Sequence, residues 1–167
     1  MQRLLVIGPC GAGKSTLATE LGARLGLPVY HVDQLNWLPG WNEIGDIALA
    51  EKLTKIVTTD RWLIDGNYRE TLGLRLDYAD TVVYLDYRIS LCIWRLMRRI
   101  FRYRGRSRPD MTEGCPERFD FSFLLYLLRW NSGPRVRTEQ CLKGHEAKIV
   151  RLKRPDQLKR WLDEKVN

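Results

Sequence analysis

Cysteine is scarce and scattered: four residues in a chain of 167, at positions 10, 92, 115 and 141, with no CxxC pair. That excludes a disulfide scaffold and suits a reducing compartment, where thiols act as small apolar side chains. Histidine is rarer still. His31 and His145 stand too far apart in the chain to suggest a metal site, and both read as structural. No apolar run approaches the roughly eighteen residues of a membrane helix, the run from Phe121 to Leu128 being too short. Repeats, linkers and low-complexity tracts are missing too, so one ordinary domain over 1–167 is expected. The start imitates a signal peptide only faintly. Its apolar stretch is Leu4 to Ile7 and glycines follow at once, so it reads as a first strand, and a cytoplasmic protein is expected.

Acidic residues are missing from one place in particular. Between Arg88 and Arg108 there are eight arginines (88, 95, 98, 99, 102, 104, 106 and 108) and no Asp or Glu. The net charge of the chain is +8, so the rest of it is balanced and the basicity belongs to this segment. A basic surface attracts polyanions without regard to sequence, which invites a nucleic-acid reading. The hydrophobic fraction of 44% and charged fraction of 29% are those of a globular protein.

Strand and helix patterns alternate along the chain. Leu4-Leu5-Val6-Ile7 reads as a buried parallel strand, and Leu17, Leu21 and Leu25 make one face of a helix from Lys14 that stops at Gly26. Pro28 to Val32 predicts a second strand, followed by a loop with Trp37 and Trp41. Residues 46–58 predict a helix, Trp62-Leu63-Ile64 a third strand closed by Asp65-Gly66, and Thr81 to Leu85 a fourth closed by Asp86. Ile89 to Tyr103 has helical spacing with Ile89, Ile93, Leu96, Met97 and Ile100 inward. A polar loop over 105–116, a helix around Asp120 to Trp130, an irregular basic stretch, a strand from Ala147 to Leu152 and a helix from Asp156 complete the reading. This alternation predicts a three-layer α/β domain with a five-stranded parallel sheet. Ligands of such sheets bind beyond the carboxyl ends of the strands, where Gly8, Asp33, Asp65 and Asp86 are expected to line one edge.

The strongest motif is Gly8-Pro9-Cys10-Gly11-Ala12-Gly13-Lys14-Ser15, a GxxxxGK[ST] run between a strand and a helix, with Thr16 next. Glycines let the backbone curl so that successive N–H groups face a phosphate chain, and the helix adds its positive end. Lys14 is placed to reach the β- and γ-phosphates of ATP and the Ser15 hydroxyl to ligate Mg²⁺. Cys10 reads as a filler of this loop rather than a nucleophile. Asp65, at the end of a strand, suits the water-mediated Mg²⁺ ligand of such sites.

Residues 8–16, Asp65-Gly66-Asn67-Tyr68-Arg69 and Arg95-x-x-x-Arg99 together resemble the adenylate-kinase-like branch of P-loop kinases. The resemblance implies a nucleoside/nucleotide-kinase-like P-loop NTPase fold. It also implies that Arg69 binds the acceptor's phosphate, with an ordinary surface arginine as the other reading. Arg95 and Arg99, at i and i+4 on one helical face, would contact the phosphates of the donor; a solvated basic face is the alternative. The segment about 104–119 sits where such kinases carry a lid, here a short one, with Arg118 as its candidate arginine or else a salt-bridge partner. Asp33 sits where some P-loop nucleoside and small-metabolite kinases place a base for the acceptor hydroxyl, unless it caps the next turn. The segments HVDQLNWLPGW, RWLIDGNYR, ADTVVYLDYR and RPDMTEGCPERF most closely resemble the bacterial FlaR-type DNA topology modulation proteins.

Two functions are therefore expected to compete. One is transfer of the γ-phosphoryl of ATP to a small acceptor (nucleoside, nucleotide or similar metabolite), with weak non-specific nucleic-acid binding at most. The other is a nucleotide-controlled DNA-associated protein that uses Arg88 to Arg108. Arginines converging on the phosphate loop would favour the first, and arginines spread over an outer face the second.

Overall fold

In the computed structural model, which describes residues 1–166, the elements run β1 (Arg3–Ile7), α1 (Lys14–Leu25), β2 (Val29–His31), α2 (Val32–Asn36), β3 (Trp37–Leu38), β4 (Asn42–Glu43), α3 (Asp46–Val57), β5 (Trp62–Asp65), α4 (Arg69–Tyr78), β6 (Thr81–Leu85), α5 (Ile89–Tyr103), α6 (Phe121–Leu128), α7 (Pro134–Leu142), β7 (Ile149–Leu152) and α8 (Pro155–Lys165). Asn167, the last residue of the expected domain, lies outside the described residues.

The apolar run at 4–7 is buried on both sides because helices cover both faces of the sheet. Leu4 and Val6 pack with Leu17 and Leu21 of α1, Cys92 and Leu96 of α5 and Leu162 of α8. Leu5 and Ile7 turn the other way, onto Leu49 and Leu53 of α3, Leu72 and Leu76 of α4 and Leu142 of α7. The sheet has the order β2-β5-β1-β6-β7, all parallel, with Leu5 opposite Ile64 on one side and Val82 on the other. This is the three-layer, five-stranded parallel architecture expected. Among the described residues no helix is long and apolar enough to cross a membrane.

Several local expectations need correction. The stretch after Asp65-Gly66-Asn67-Tyr68 forms α4, whose buried positions are Thr71, Leu72, Arg75 and Leu76. Two of the four are polar, which hides the helical period. The irregular basic stretch contains α7, which starts at Pro134, in the first helical turn where proline fits, and buries Thr138 with Leu142. The Trp37 loop is an antiparallel hairpin of β3 and β4. Met97 is 41% exposed rather than inward; it falls beside Trp94 and Phe101 on the outer face of α5. Asp86 does not line the site edge. Its carboxylate takes two hydrogen bonds from Arg135 (3.0 and 2.8 Å) and one from Arg151 at 3.3 Å, tying β6 to α7 and β7.

Arg75 holds the turn that precedes α4. Its guanidinium is 0% exposed and donates to the carbonyls of Thr71, Gly66, Asn67 and Tyr68. Burial pushes its pKa down to about 10, partly offset by Asp65 and Tyr68. Removing it would leave several buried carbonyls without a donor, at about 1–3 kcal/mol each. Arg75→Met is therefore expected to lower stability by about 3 kcal/mol or more, measured by denaturant unfolding. A loss under about 1 kcal/mol would show that water replaces the side chain.

Candidate active site

β1 delivers the chain to the glycine loop, and its neighbours dictate how tightly that loop is wound. A Cβ on Gly8 (φ 144°) would lie 2.5 Å from the Leu85 carbonyl oxygen, and one on Gly11 (φ 77°) 2.2 Å from that of Cys92. Asn67 fastens the entry: the Gly8 N–H donates to its Oδ1 at 3.0 Å, and its Nδ2 donates to the Gly8 carbonyl at 2.7 Å. Gly13 takes a left-handed conformation before α1 and offers no capping side chain. Among the described residues no backbone carbonyl accepts from the N–H groups of Gly13, Lys14 or Ser15. Such N–H groups lie at the positive end of a twelve-residue helix, an arrangement that favours anions. Lys14 lies back along the loop, its Nζ donating to the Pro9 carbonyl at 3.2 Å. Ser15 is half-buried and Thr16 exposed beside it.

α5 brings its arginines against this loop. Arg95 Nη1 donates to the Ala12 carbonyl at 3.0 Å, and its guanidinium stands 5.6 Å from the centre of the Tyr87 ring. Arg99 reaches Cys10 Sγ at 3.5 Å and donates to Glu117 Oε1 at 3.0 Å. Burial disfavours its charge, yet Cys10 and Glu117 beside it hold its pKa above the ordinary value. Arg98 and Arg102 are exposed on the rim of the same cleft, whereas Arg88, Arg104 and Arg106 lie away from it.

The 104–119 segment packs over the cleft from the other side. Arg108 is 9% exposed and pairs with Asp110 Oδ2 and Glu117 Oε2, both at 2.7 Å. Glu117 thus joins Arg108 to Arg99. Burial favours the neutral form of Asp110, but the Arg108 charge, the Ser15 hydroxyl and His31 hold its pKa below the ordinary value. Gln34 Nε2 donates to the Pro109 carbonyl at 2.8 Å, Thr112 Oγ1 to that of Trp37 at 2.6 Å, and Gly40 N–H to that of Gly114 at 3.0 Å. Arg118, the arginine singled out from the sequence, instead lies exposed on the rim, 5.4 Å from the Trp41 ring centre, with no carboxylate partner among the described residues. In the sequence Arg108 is set apart from the other arginines of the basic segment only by Asp110 close behind it.

Opposite the arginines the cleft is acidic. Asp65 is 3% exposed and bonds His31 Nδ1 at 2.7 Å. Burial lowers the His31 pKa, but the bond to Asp65 and the charges of Asp65, Asp110 and Asp33 outweigh it and leave the value raised. His31 thus lines the cleft with Asp65 as its partner. The findable signal was register: β2 and β5 are parallel partners, and His31 stands opposite Asp65. Asp33 does not end a strand; it sits in the first turn of the short helix α2, still lining the cleft. Tyr68 O–H donates to Asp33 Oδ1 at 2.9 Å, and burial together with Asp33 pushes the phenol pKa far up, so the proton stays on Tyr68. Arg69 is exposed at the start of α4 and pairs with Glu70 at 3.0 Å.

The loop, the α5 arginines and this acidic wall enclose one cavity of about 1600 Å³. That exceeds the roughly 300–1,000 Å³ of a single small-molecule pocket and suits a nucleotide with a second ligand. Among the described residues no three His, Cys, Asp or Glu side chains converge to hold a metal alone. Ser15, Asp65 and Asp110 nevertheless line this cavity with hard oxygen donors, which fits Mg²⁺, an ion held by few protein ligands together with substrate phosphates.

No protein-family model and no curated protein matches the chain. Solved structures do. The chain is similar to a gluconokinase from Sinorhizobium meliloti 1021 (TM-score 0.57, 16% identity, 99% of this chain and 89% of that one). It is similar to a shikimate kinase from Acinetobacter baumannii in complex with shikimate (TM-score 0.56, 16% identity, 100% and 96%). It is also similar to a deoxyadenosine kinase from M. mycoides with bound dATP (TM-score 0.58, 15% identity, 96% and 97%). At these identities the likeness establishes the P-loop fold.

Proposed function

We propose that the chain is an ATP-dependent phosphotransferase that moves the γ-phosphoryl group to a small acceptor. The observation that supports this best is convergence: Arg95 and Arg99 touch the loop that carries Lys14, and Glu117 of the facing segment joins Arg99 to Arg108. A cationic ring around a loop of unpaired N–H groups fits a polyphosphate and the charge that spreads over its γ-oxygens during transfer. The solved neighbours include kinases of a sugar acid, shikimate and a nucleoside by their names, so the same scaffold serves several hydroxyl acceptors.

The residues divide the work as follows. Gly8, Gly11, Ala12, Gly13, Lys14, Ser15 and Thr16 hold the phosphates, with Lys14 on the β- and γ-groups. Arg95 and Arg99 stabilise the charge on the transferred group, and Arg108 holds Glu117 and Asp110 in place beside them. Ser15 and Asp65 would hold Mg²⁺, which when bound neutralises the phosphate oxygens. Asp33 accepts the proton of the acceptor hydroxyl as that oxygen bonds the γ-phosphorus, the bridging P–O bond breaks and ADP departs. Tyr68 fixes the orientation of the Asp33 carboxylate. Arg69 and Arg118, exposed in the cleft lining, would contact the acceptor.

The Arg95→Ala/Arg99→Ala double variant tests this against the DNA-binding alternative, which the comparisons do not support. Two assays are paired: ATP turnover, and duplex DNA binding at two salt concentrations. Turnover is expected to fall by about a hundredfold or more, since guanidiniums that stabilise transferred charge act chiefly in the transition state. DNA binding, weak and steeply salt-dependent, is expected to persist through Arg98 and Arg102. Intact turnover with lost DNA binding would favour a DNA-associated protein that uses Arg88 to Arg108.

A further inference from the structure

The acceptor half of the cleft has its own chemistry. Trp37 and Trp41, on the short segment that follows Asp33, stand edge to face with ring centres 5.3 Å apart, and both line the cavity. Holding them there is costly. Trp41 is a bulky residue forced to φ 64°, and its indole N–H is buried with no partner. The bonds from Thr112 to the Trp37 carbonyl and from Gly40 to Gly114 lock the hairpin in place. Flat apolar walls, rigidly held, suit a planar ring more than a polyol.

Charge narrows the choice further. Asp33, Asp65 and Asp110 line this part of the cleft; Asp65 is bonded to His31 and Asp110 to Arg108, so the Asp33 carboxylate is the one left to disfavour a second anion beside it. The cations on this side are already engaged or out at the rim. Arg75 is spent on carbonyls, Arg108 on Asp110 and Glu117 and Arg69 on Glu70, while Arg118, over the Trp41 ring, and Arg137 lie exposed at the rim. Asp33 keeps one oxygen on Tyr68 and has no cationic partner among the described residues, leaving its second oxygen for a hydroxyl.

Resting on the phosphotransferase reading above, we propose that the acceptor is an uncharged nucleoside. Its base lies against Trp37 and Trp41, and its sugar hydroxyl faces Asp33. The hydroxyl oxygen forms the new bond to the γ-phosphorus, the bond to the ADP oxygen breaks, and the hydroxyl proton passes to Asp33.

The test supplies ATP–Mg²⁺ with three probe sets: the common ribo- and deoxyribonucleosides, their 5′-monophosphates, and the acids gluconate and shikimate. Transfer to at least one nucleoside, with monophosphates and acids slower by about tenfold or more, is the expected result. Trp41→Ala is expected to raise the nucleoside KM by about tenfold or more at unchanged ATP KM, with Trp41→Phe restoring most of it. A merely structural role for Trp41 would move both KM values together. Transfer to a monophosphate or an acid with nucleosides inert overturns this proposal and leaves the phosphotransferase standing. ATP binding that depends on Lys14, with no transfer to any nucleoside, also overturns the proposal alone. If ATP does not bind at all, the reading beneath it falls, and the proposal with it.

Discussion

Lys14→Ala is expected to weaken ATP–Mg²⁺ binding by tenfold or more, about 1.4 kcal/mol upward. Lys14 is the one cation that the loop itself supplies, and its ammonium is stored against the Pro9 carbonyl, within the cradle it serves. Rotating away from one backbone oxygen is a small cost beside a β- or γ-phosphate contact, because a charge-assisted bond is about twice as strong as a neutral one. The fold has little reason to suffer from the change. Lys14 is only half-buried and has no carboxylate partner among the described residues, so its loss strands no buried charge. Calorimetric titration separates the cases: equal affinity in wild type and variant would remove the nucleotide from this loop, and a parallel loss of thermal stability would mark a folding defect instead.

Asp33→Asn carries the second large effect, a fall in kcat of about 10²–10⁴ with KM for the acceptor changed by less than about threefold. The amide keeps the shape of the side chain and can still accept from Tyr68, so binding and position survive. What it cannot do is take a proton. Steady-state kinetics with the best acceptor distinguishes the roles: a large rise in KM at constant kcat would make Asp33 a binding group, and no change in either would leave it as a structural partner of Tyr68 in the first turn of α2.

How much of this was legible beforehand follows from where local pattern and tertiary contact agree. The loop at 8–16 and the strands beside it were readable because a buried parallel strand and a glycine turn each have a local signature. The helix with Arg95 and Arg99 was readable too, since Cys92, Leu96 and the isoleucines set its rotation and put the guanidiniums on the flank towards the loop. Arg75 was invisible, as a buried arginine looks in sequence like any exposed one until its four carbonyls are seen. The place of His31 beside Asp65 has no local signal either, since the two are distant in sequence and adjacent only through the pairing of β2 with β5. That Arg108 turns inward while Arg118 stays exposed on the cleft rim has the same origin: the loop around them has no period, and Glu117, Arg99 and Asp110 decide which guanidinium goes inside.

The central claim, that this cleft moves a phosphoryl group, is tested most directly by following the label of γ-³²P-ATP in a mixture of small metabolites with wild-type protein and with Lys14→Ala. A new labelled organic phosphate is expected with the wild type in the presence of Mg²⁺, and none with the variant. Label remaining in ATP, or appearing only as inorganic phosphate, at saturating protein and across the whole mixture would contradict it.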